Sequence, residues 1–334
     1  MDPAGTARLT IPESLRDLYA PVVEELNEAE DLLRRELSSD NPFVDGLVKH
    51  GFRLGGKRLR PALVLLSAKA CGGIRPAHVP LAAMAELLHT ATLVHDDVLD
   101  EATIRRHLDT INARWDNEAS ILLGDYLFAQ ALCLASSLDD VFACRVVCES
   151  ARKMCEGELK QIEGRGNYDL TETDYFDIIA GKTAALTACC CRLGAHYAGA
   201  EPAVCDALAR YGHDLGIAFQ IADDVLDLAG NEAVVGKSLG TDLSKQKATL
   251  PLIRLLDTVA AADRVALVAV LSRSGNHHRE ALGPWLERSD AIAYAQEKAQ
   301  WFTRRAGGEL AALPSTSACD SLRGLTDFVV TRHQ

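Results

Sequence analysis

Residues 93–100 read LVHDDVLD and residues 220–227 read QIADDVLD, so the pentapeptide DDVLD occurs twice in one chain. Both copies sit among apolar residues: Leu93, Val94, Val98 and Leu99 flank one, and Ile221, Ala222, Val225 and Leu226 flank the other. Such patterning reads as helix, which rises about 1.5 Å and turns about 100° per residue. Asp96 and Asp100 then share a face one turn apart, as do Asp223 and Asp227. Carboxylates among apolar side chains are costly unless a cation neutralises them. Two carboxylate claws therefore ask for a hard cation. Mg²⁺ suits them, because it takes one or two carboxylates, keeps waters and fills its shell with phosphate oxygens of a substrate.

Working outward, helical periodicity continues along the whole chain, with almost no strand alternation. The first helix is expected over roughly 12–38, with Leu15, Leu18, Val22, Leu26 and Leu33 on one face, ending at SSDNP. Others are expected at 43–51, 60–71, 78–106, 117–137 and 139–163. Gly164-Arg165-Gly166-Asn167 breaks the pattern, and Thr171 with Asp174 forms a capping-box restart for a helix to about 198. Helices at 202–229, 248–272, 278–286, 289–312 and 315–332 complete an all-α chain, expected to be a single domain over 1–334. No repeat at a fixed period accompanies the duplicated pentapeptide. The loop 230–246, GNEAVVGKSLGTDLSKQ, comes directly after the second claw, carries Lys237 and Lys245 with Lys247 just beyond, and is expected to close over a ligand.

Composition limits what such claws can serve. A chain of 334 residues, 48% hydrophobic, can bury a large core. Its net charge of −12 argues against nucleic-acid binding, so an anionic ligand must be held by local basic clusters. No stretch is expected to reach the length of a membrane span, and MDPAGTARLT lacks the apolar run of a signal peptide, which makes a cytoplasmic protein the default expectation. Ten cysteines, three of them the consecutive Cys189-Cys190-Cys191, are expected to be reduced thiols. Cys144, Cys148 and Cys155 fall at helical spacing without a nearby histidine and read as small core residues, not metal ligands.

The basic residues cluster. Gly55-Gly56-Lys57-Arg58-Leu59-Arg60-Pro61 places Lys57 and Arg60 three apart at a helix start, where both can point at one phosphate, with Arg58 expected at the surface. Arg105 and Arg106 come just after the first claw. Lys182 and Thr183 succeed Gly181, but no strand or upstream glycine makes that triplet a P-loop. Two claws with separate basic clusters imply two diphosphates held at once.

In that order, GGKRLRP, ELLHTATLVHDDVLDEATIRR, GDYLFAQA, GKTAAL, FQIADDVLDLAG and GKSLGTDLSKQKATLPLI resemble the motifs of the trans-polyprenyl diphosphate synthases, over about residues 51–253, and DFVVTR resembles that family's end. The resemblance implies an all-α bundle of long helices around a deep central cavity, usually a homodimer. It implies head-to-tail condensation of isopentenyl diphosphate with an allylic diphosphate. It assigns Asp96, Asp100, Asp223 and, less directly, Asp97 and Asp227 to a magnesium cluster of three ions, for which Mn²⁺ can substitute. Arg105, Lys182, Lys237 and Lys247 would grip the allylic diphosphate, with Thr183 and Gln220 near the reacting carbons. Lys57, Arg60, His89 and Arg106 would hold isopentenyl diphosphate, and His95 would be structural. Asp96, Asp100, Asp223, Lys182 and Arg105 form the catalytic set this implies.

Short-chain members place an aromatic four or five residues before the first Asp; here those positions hold Thr92 and Ala91, with Leu88 and Met84 off to the side. A long-chain product near octaprenyl is expected, leaving through a transient membrane contact. The family usually reads Arg-Arg-Gly-x-Pro-Thr after the first claw, whereas Arg105-Arg106-His107-Leu108-Asp109-Thr110 replaces a glycine and a proline. Thr331-Arg332-His333 likewise stands where a denser basic tail is usual. Two other readings share parts of the pattern. A non-catalytic subunit of a heteromeric prenyl synthase would not need both claws and every base, and a terpene cyclase would have no use for GGKRLRP.

Overall fold

The computed structural model describes residues 11–53, 56–138, 140–230, 239–272 and 278–331. Helices succeed one another as expected: α1 (Glu13–Tyr19), α2 (Val23–Glu36), α3 (Pro42–Arg53), α4 (Leu59–Ala70), α5 (His78–Leu99), α6 (Ile111–Arg114), α7 (Asn117–Ser136), α8 (Val141–Glu163), α9 (Glu172–Ile179), α10 (Ala185–Ala198) and α11 (Pro202–Ala229). Further helices occupy Thr241–Ser244, Leu250–Thr258, Ala261–Leu271, His278–Leu286, Ala291–Glu309 and Ser317–Thr331. The architecture is all-α, with one two-stranded hairpin among the described residues.

The departures from periodicity have local causes. The expected first helix breaks at a 3₁₀ turn over Ala20–Val22, where Pro21 removes a backbone donor. The helix expected over 248–272 breaks at Val259 and Ala260, both extended. The helix expected over 78–106 stops at Leu99, and Glu101 takes a left-handed φ of 49°. Beyond it the chain forms a small antiparallel hairpin, Ile104–Arg105 against Leu108–Asp109, in the register Ile104↔Asp109 and Arg105↔Leu108. The two residues at its tip, Arg106 (φ 51°) and His107 (φ 63°), both have the positive φ of a type I′ turn. The capping box is as expected, with Thr171 Oγ1 accepting from Asp174 N and Asp174 Oδ2 accepting from Thr171 N.

The chain divides into two compact units, each assembled from several sequence segments. The first comprises 1–148, 189–209 and 312–324. Its centre is α5, packed by α2, α4 and α7. Two glycines permit close approach: a Cβ on Gly194 would strike the carbonyl of Val64 on α4, and one on Gly124 would strike the His95 ring. His95 lies beside the Ile121 carbonyl at 3.1 Å and Asp125 at 3.4 Å, which fits the structural role expected for it. The second unit comprises 149–188, 210–311 and 325–334. There Leu228, Leu243, Leu252, Leu255, Leu267 and Leu282 form a core cluster.

All ten cysteines are free thiols. Cys144 is only half-buried and Cys148 and Cys155 are exposed, so they are not core residues; helical spacing alone put them on one face without saying which. Contrary to expectation, two helical stretches, Asn117–Ser136 and Glu172–Ala198, are long and apolar enough to span a membrane, with 39% and 67% of their most apolar windows buried inside the protein. Their apolarity serves packing in part, since α7 lies along α5.

Candidate active site

Both aspartate triplets fall in the last turns of their helices, Asp96, Asp97 and Asp100 at the end of α5 and Asp223, Asp224 and Asp227 at the end of α11. The helix dipole is negative there, so each triplet carries electrostatic cost beyond that of burial. In the first unit, Asp96 and Asp100 are half-buried, one turn apart. Asp97 is 1% exposed, and its Oδ1 accepts from Arg105 Nε at 2.9 Å and lies 2.8 Å from Arg105 Nη2. Burial raises the Asp97 pKa against the pull of Arg105, and Oδ2 is buried without a hydrogen-bond partner. Asp97 is thus bound to the protein, and Arg105 is held by it.

The basic cluster of the first unit gathers beside α5. Arg58 takes a left-handed conformation (φ 53°, ψ 32°) just before α4. It is 7% exposed, not the surface charge expected from its loop position. Its Nε and Nη2 donate to the two Glu30 carboxylate oxygens at 3.0 and 3.2 Å, and Nη1 donates to Glu86 at 2.5 Å. Lys57 before it is exposed and Arg60 after it is half-buried. A Cβ on Gly56 would lie 2.6 Å from Arg106 Nη2, so the hairpin tip brings its guanidinium against the GGKR loop. His89, half-buried on α5, is held well below the usual histidine pKa, first by burial and then by Arg60, Arg106, Arg105 and Arg58. Arg60, His89 and Arg106 therefore share one positive neighbourhood, adjoined by Lys57. Such crowding is relieved by an anion of the diphosphate kind.

The second unit builds its own cluster. Gly157 on α8 and Gly181 meet closely; a Cβ on either would enter the other's backbone or that of Lys182. Here the helix after α9 widens into a π turn over Ala180–Ala184, which contains Lys182 and Thr183. Such turns recur at functional sites. Lys182 Nζ contacts Glu158 and donates to Gln161 at 2.8 Å. Thr183 donates to Gln220 Oε1 at 2.8 Å, Gln220 Nε2 to Asp224 Oδ1 at 2.8 Å, and Tyr175 to Asp224 Oδ2 at 2.7 Å. Burial, then Asp242, pushes the Asp224 pKa well up. Asp223 is half-buried. Asp227 is buried and accepts from Thr241 Oγ1 at 2.9 Å and from the backbone N–H of Asp242 at 3.0 Å, fastening the short helix Thr241–Ser244. Lys247 lies 3.8 Å from Asp242. Lys182, Gln220, Asp224, Asp242 and Lys247 line a cavity of ≈ 80 Å³, room for a handful of waters. Lys237, with residues 231–238 of the expected lid, lies outside the described residues.

Among the described residues no three histidine, cysteine or acidic side chains converge on a metal position. The donor set still fits Mg²⁺, which needs only one or two carboxylates when phosphate and water complete its shell, and the orphaned Asp97 Oδ2 marks an unspent acceptor. Upstream on α5, Met84, Ala85 and Leu88 are fully buried, Ala91 is 1% exposed, and Thr92 is half-buried with its hydroxyl donating to the His89 carbonyl at 2.8 Å. Sequence reasoning missed Gly157, Glu158, Tyr175, Glu30 and Glu86. Only the paired small residues Gly157 and Gly181 carried a signal that could have found one of them.

Residues 41–283 match the polyprenyl synthetase family. The chain is 35% identical over 320 residues to the all-trans-nonaprenyl-diphosphate synthase (geranyl-diphosphate specific) of Rhodobacter capsulatus, covering 96% of this chain and 98% of that one. It is 34% identical over 323 residues to the octaprenyl diphosphate synthase of Escherichia coli K12, covering 96% and 98%. The crystal structure of a decaprenyl diphosphate synthase from Rhodobacter capsulatus superposes with a TM-score of 0.90 at 35% identity, over 95% of this chain and 98% of that one. The chain belongs to the polyprenyl synthetase family. It is a prenyltransferase that makes a trans-polyprenyl diphosphate.

Proposed function

We propose that this enzyme condenses isopentenyl diphosphate head to tail with an allylic diphosphate, as a homodimer dependent on Mg²⁺, to make a long-chain product near octaprenyl. The observation that carries the reading is the cluster of Arg60, His89 and Arg106 in the first unit, a basic site additional to the carboxylates of Asp96 and Asp100. A synthase needs that second anion site and a cyclase does not. We assign Lys57, Arg60, His89 and Arg106 to isopentenyl diphosphate. We assign Lys182 and Lys247, with Arg105, to the allylic diphosphate.

Asp96, Asp100 and Asp223 would hold the metal, which when bound offsets the charge growing on the leaving diphosphate. Asp97 could reach it through Oδ2 while Oδ1 stays on Arg105, whereas Asp227 reaches it only by giving up or sharing the hydrogen bonds that now occupy both its oxygens. Lys182 and Arg105 oppose the same charge with preorganised donors as the allylic C–O bond breaks. Lys57, Arg60, His89 and Arg106 fix the second substrate so that its double bond attacks the allylic cation, and a proton then leaves to the departing diphosphate. Thr183 and Gln220 present oxygens held in place by Asp224 and Tyr175. The homodimer reading is supported by the exposed Ile121, Leu122 and Tyr126 of α7. Long-chain specificity is supported by the small Ala91 and Thr92, while relatives of similar identity are named from short-chain to nonaprenyl synthases.

Incubating the purified protein alone with isopentenyl diphosphate, farnesyl diphosphate and Mg²⁺ tests the reading, with products resolved by chain length. Elongation beyond geranylgeranyl, lost on chelation and restored by Mg²⁺ or Mn²⁺, is expected. Inertness would point to a partner subunit and cyclised hydrocarbon to a cyclase; arrest at geranylgeranyl would overturn the chain-length assignment alone.

A further inference from the structure

Between Lys57 and Arg60 the chain does something neither residue requires: it buries an arginine in the left-handed region. Non-glycine residues adopt that conformation rarely, and it persists only where surroundings enforce it. Here the surroundings are specific. Three of the Arg58 guanidinium nitrogens donate to Glu30 on α2 and Glu86 on α5, and the guanidinium carbon stands 4.9 Å from the centre of the Phe52 ring. One residue earlier, the fully buried Tyr19 donates its hydroxyl to the Lys57 carbonyl at 3.0 Å.

Glu86 precedes His89 by three residues on α5, so the two lie on neighbouring positions of one face. The helix that supplies His89 to the basic cluster therefore also anchors the loop that supplies Lys57 and Arg60. A guanidinium fork between two carboxylates tolerates little sliding.

We propose that Arg58 and Tyr19 are positioning residues for isopentenyl diphosphate: Arg58 fixes the loop in register with α5, and Tyr19 fixes the peptide that aims Lys57. This rests on the assignment of Lys57, Arg60, His89 and Arg106 to that substrate. Neither residue touches the substrate; each acts through the side chains it aligns.

The test is steady-state kinetics of Tyr19→Phe, Arg58→Lys and Lys57→Ala, with each substrate varied in turn and thermal melting measured in parallel. Tyr19→Phe keeps the buried ring and is the variant that stays folded if Arg58→Lys does not. The expected result is a rise in KM for isopentenyl diphosphate of about fivefold in Tyr19→Phe, matching one lost hydrogen bond, with KM for the allylic substrate unchanged. Arg58→Lys raises the same KM further, because an ammonium cannot reproduce the fork. A purely structural role would lower kcat through the folded fraction and leave both KM values alone; that result, or equal rises for both substrates, overturns the proposal if Lys57→Ala still raises KM for isopentenyl diphosphate selectively. If Lys57→Ala also leaves that KM unchanged, the substrate assignment itself fails and the proposal falls with it.

Discussion

Replacing Gly56 with alanine separates the placement of Arg106 from the presence of its charge. The new Cβ would stand 2.6 Å from Arg106 Nη2, 2.8 Å from Nη1 and 3.0 Å from Cζ, whereas ordinary contact begins at 3.4 Å. The guanidinium must withdraw by at least the difference, 3.4 − 2.6 = 0.8 Å. A charge-assisted hydrogen bond of about 2.9 Å lengthened by that amount is no longer a bond. Its loss costs about 1.5–3 kcal/mol, which is roughly 10- to 150-fold in KM for isopentenyl diphosphate. Stability should hold, because Gly56 is outside the left-handed region and the obstructing atoms end a flexible side chain. Kinetics with each substrate varied, alongside thermal melting, measure both quantities. Arg106→Ala should show a similar defect, and Gly56→Ala combined with Arg106→Ala should be no worse than Arg106→Ala alone. A KM within twofold of wild type, or additive effects in the double variant, would refute the placement of Arg106 over the loop.

Gly157→Ala is the opposite case, since its Cβ meets the backbone N of Lys182 and the Ile178 carbonyl, which cannot swing aside. It should destabilise by about 1–3 kcal/mol in urea unfolding and raise KM for the allylic substrate, not for isopentenyl diphosphate. His107→Gly relieves a positive φ of 63° and should raise stability by about 1 kcal/mol, read from the same unfolding midpoints. His89 is kept neutral in the folded chain, whereas the unfolded chain takes up a proton near pH 6.5. Its contribution to stability is therefore present above that pH and lost as pH falls toward the folded-state pKa, so His89→Gln should flatten the decline of unfolding free energy below pH 6.5. An unchanged decline would show that acid destabilisation originates elsewhere.

Periodicity made the long helices legible, including 202–229 and 278–286 to the residue, because an apolar face facing a core leaves its spacing in the sequence. It failed after Leu99, where no proline or glycine marks the helix end. The chain there turns on Glu101, Arg106 and His107, whose positive φ values fall on residue types that rarely signal such a turn in sequence. Arg58 was misplaced for a related reason. A lysine-arginine loop reads as surface, and the acids that bury it lie 28 residues away on either side. The π turn carrying Lys182 was likewise invisible in the helical spacing; it lies where Gly157 and Gly181 meet closely.

The duplicated pentapeptide divides its work by position. In both copies the first aspartate is half-buried at a helix end, and in both the second is buried and bound to protein, Asp97 by Arg105 and Asp224 by Tyr175 and Gln220. An Asp at the second position thus fastens the helix end whose first position offers a carboxylate, and it does so against a pKa that burial drives upward in each copy. The third aspartates diverge. Asp100 caps α5 at its C-terminus and stays half-buried, whereas Asp227 is buried and spends its oxygens on Thr241 and Asp242. The first copy therefore keeps two carboxylates accessible and the second copy one, so Asp227→Asn should tolerate catalysis far better than Asp100→Asn when turnover is measured at saturating Mg²⁺. Equal losses in the two variants would mean that Asp227 leaves its cap to serve the metal.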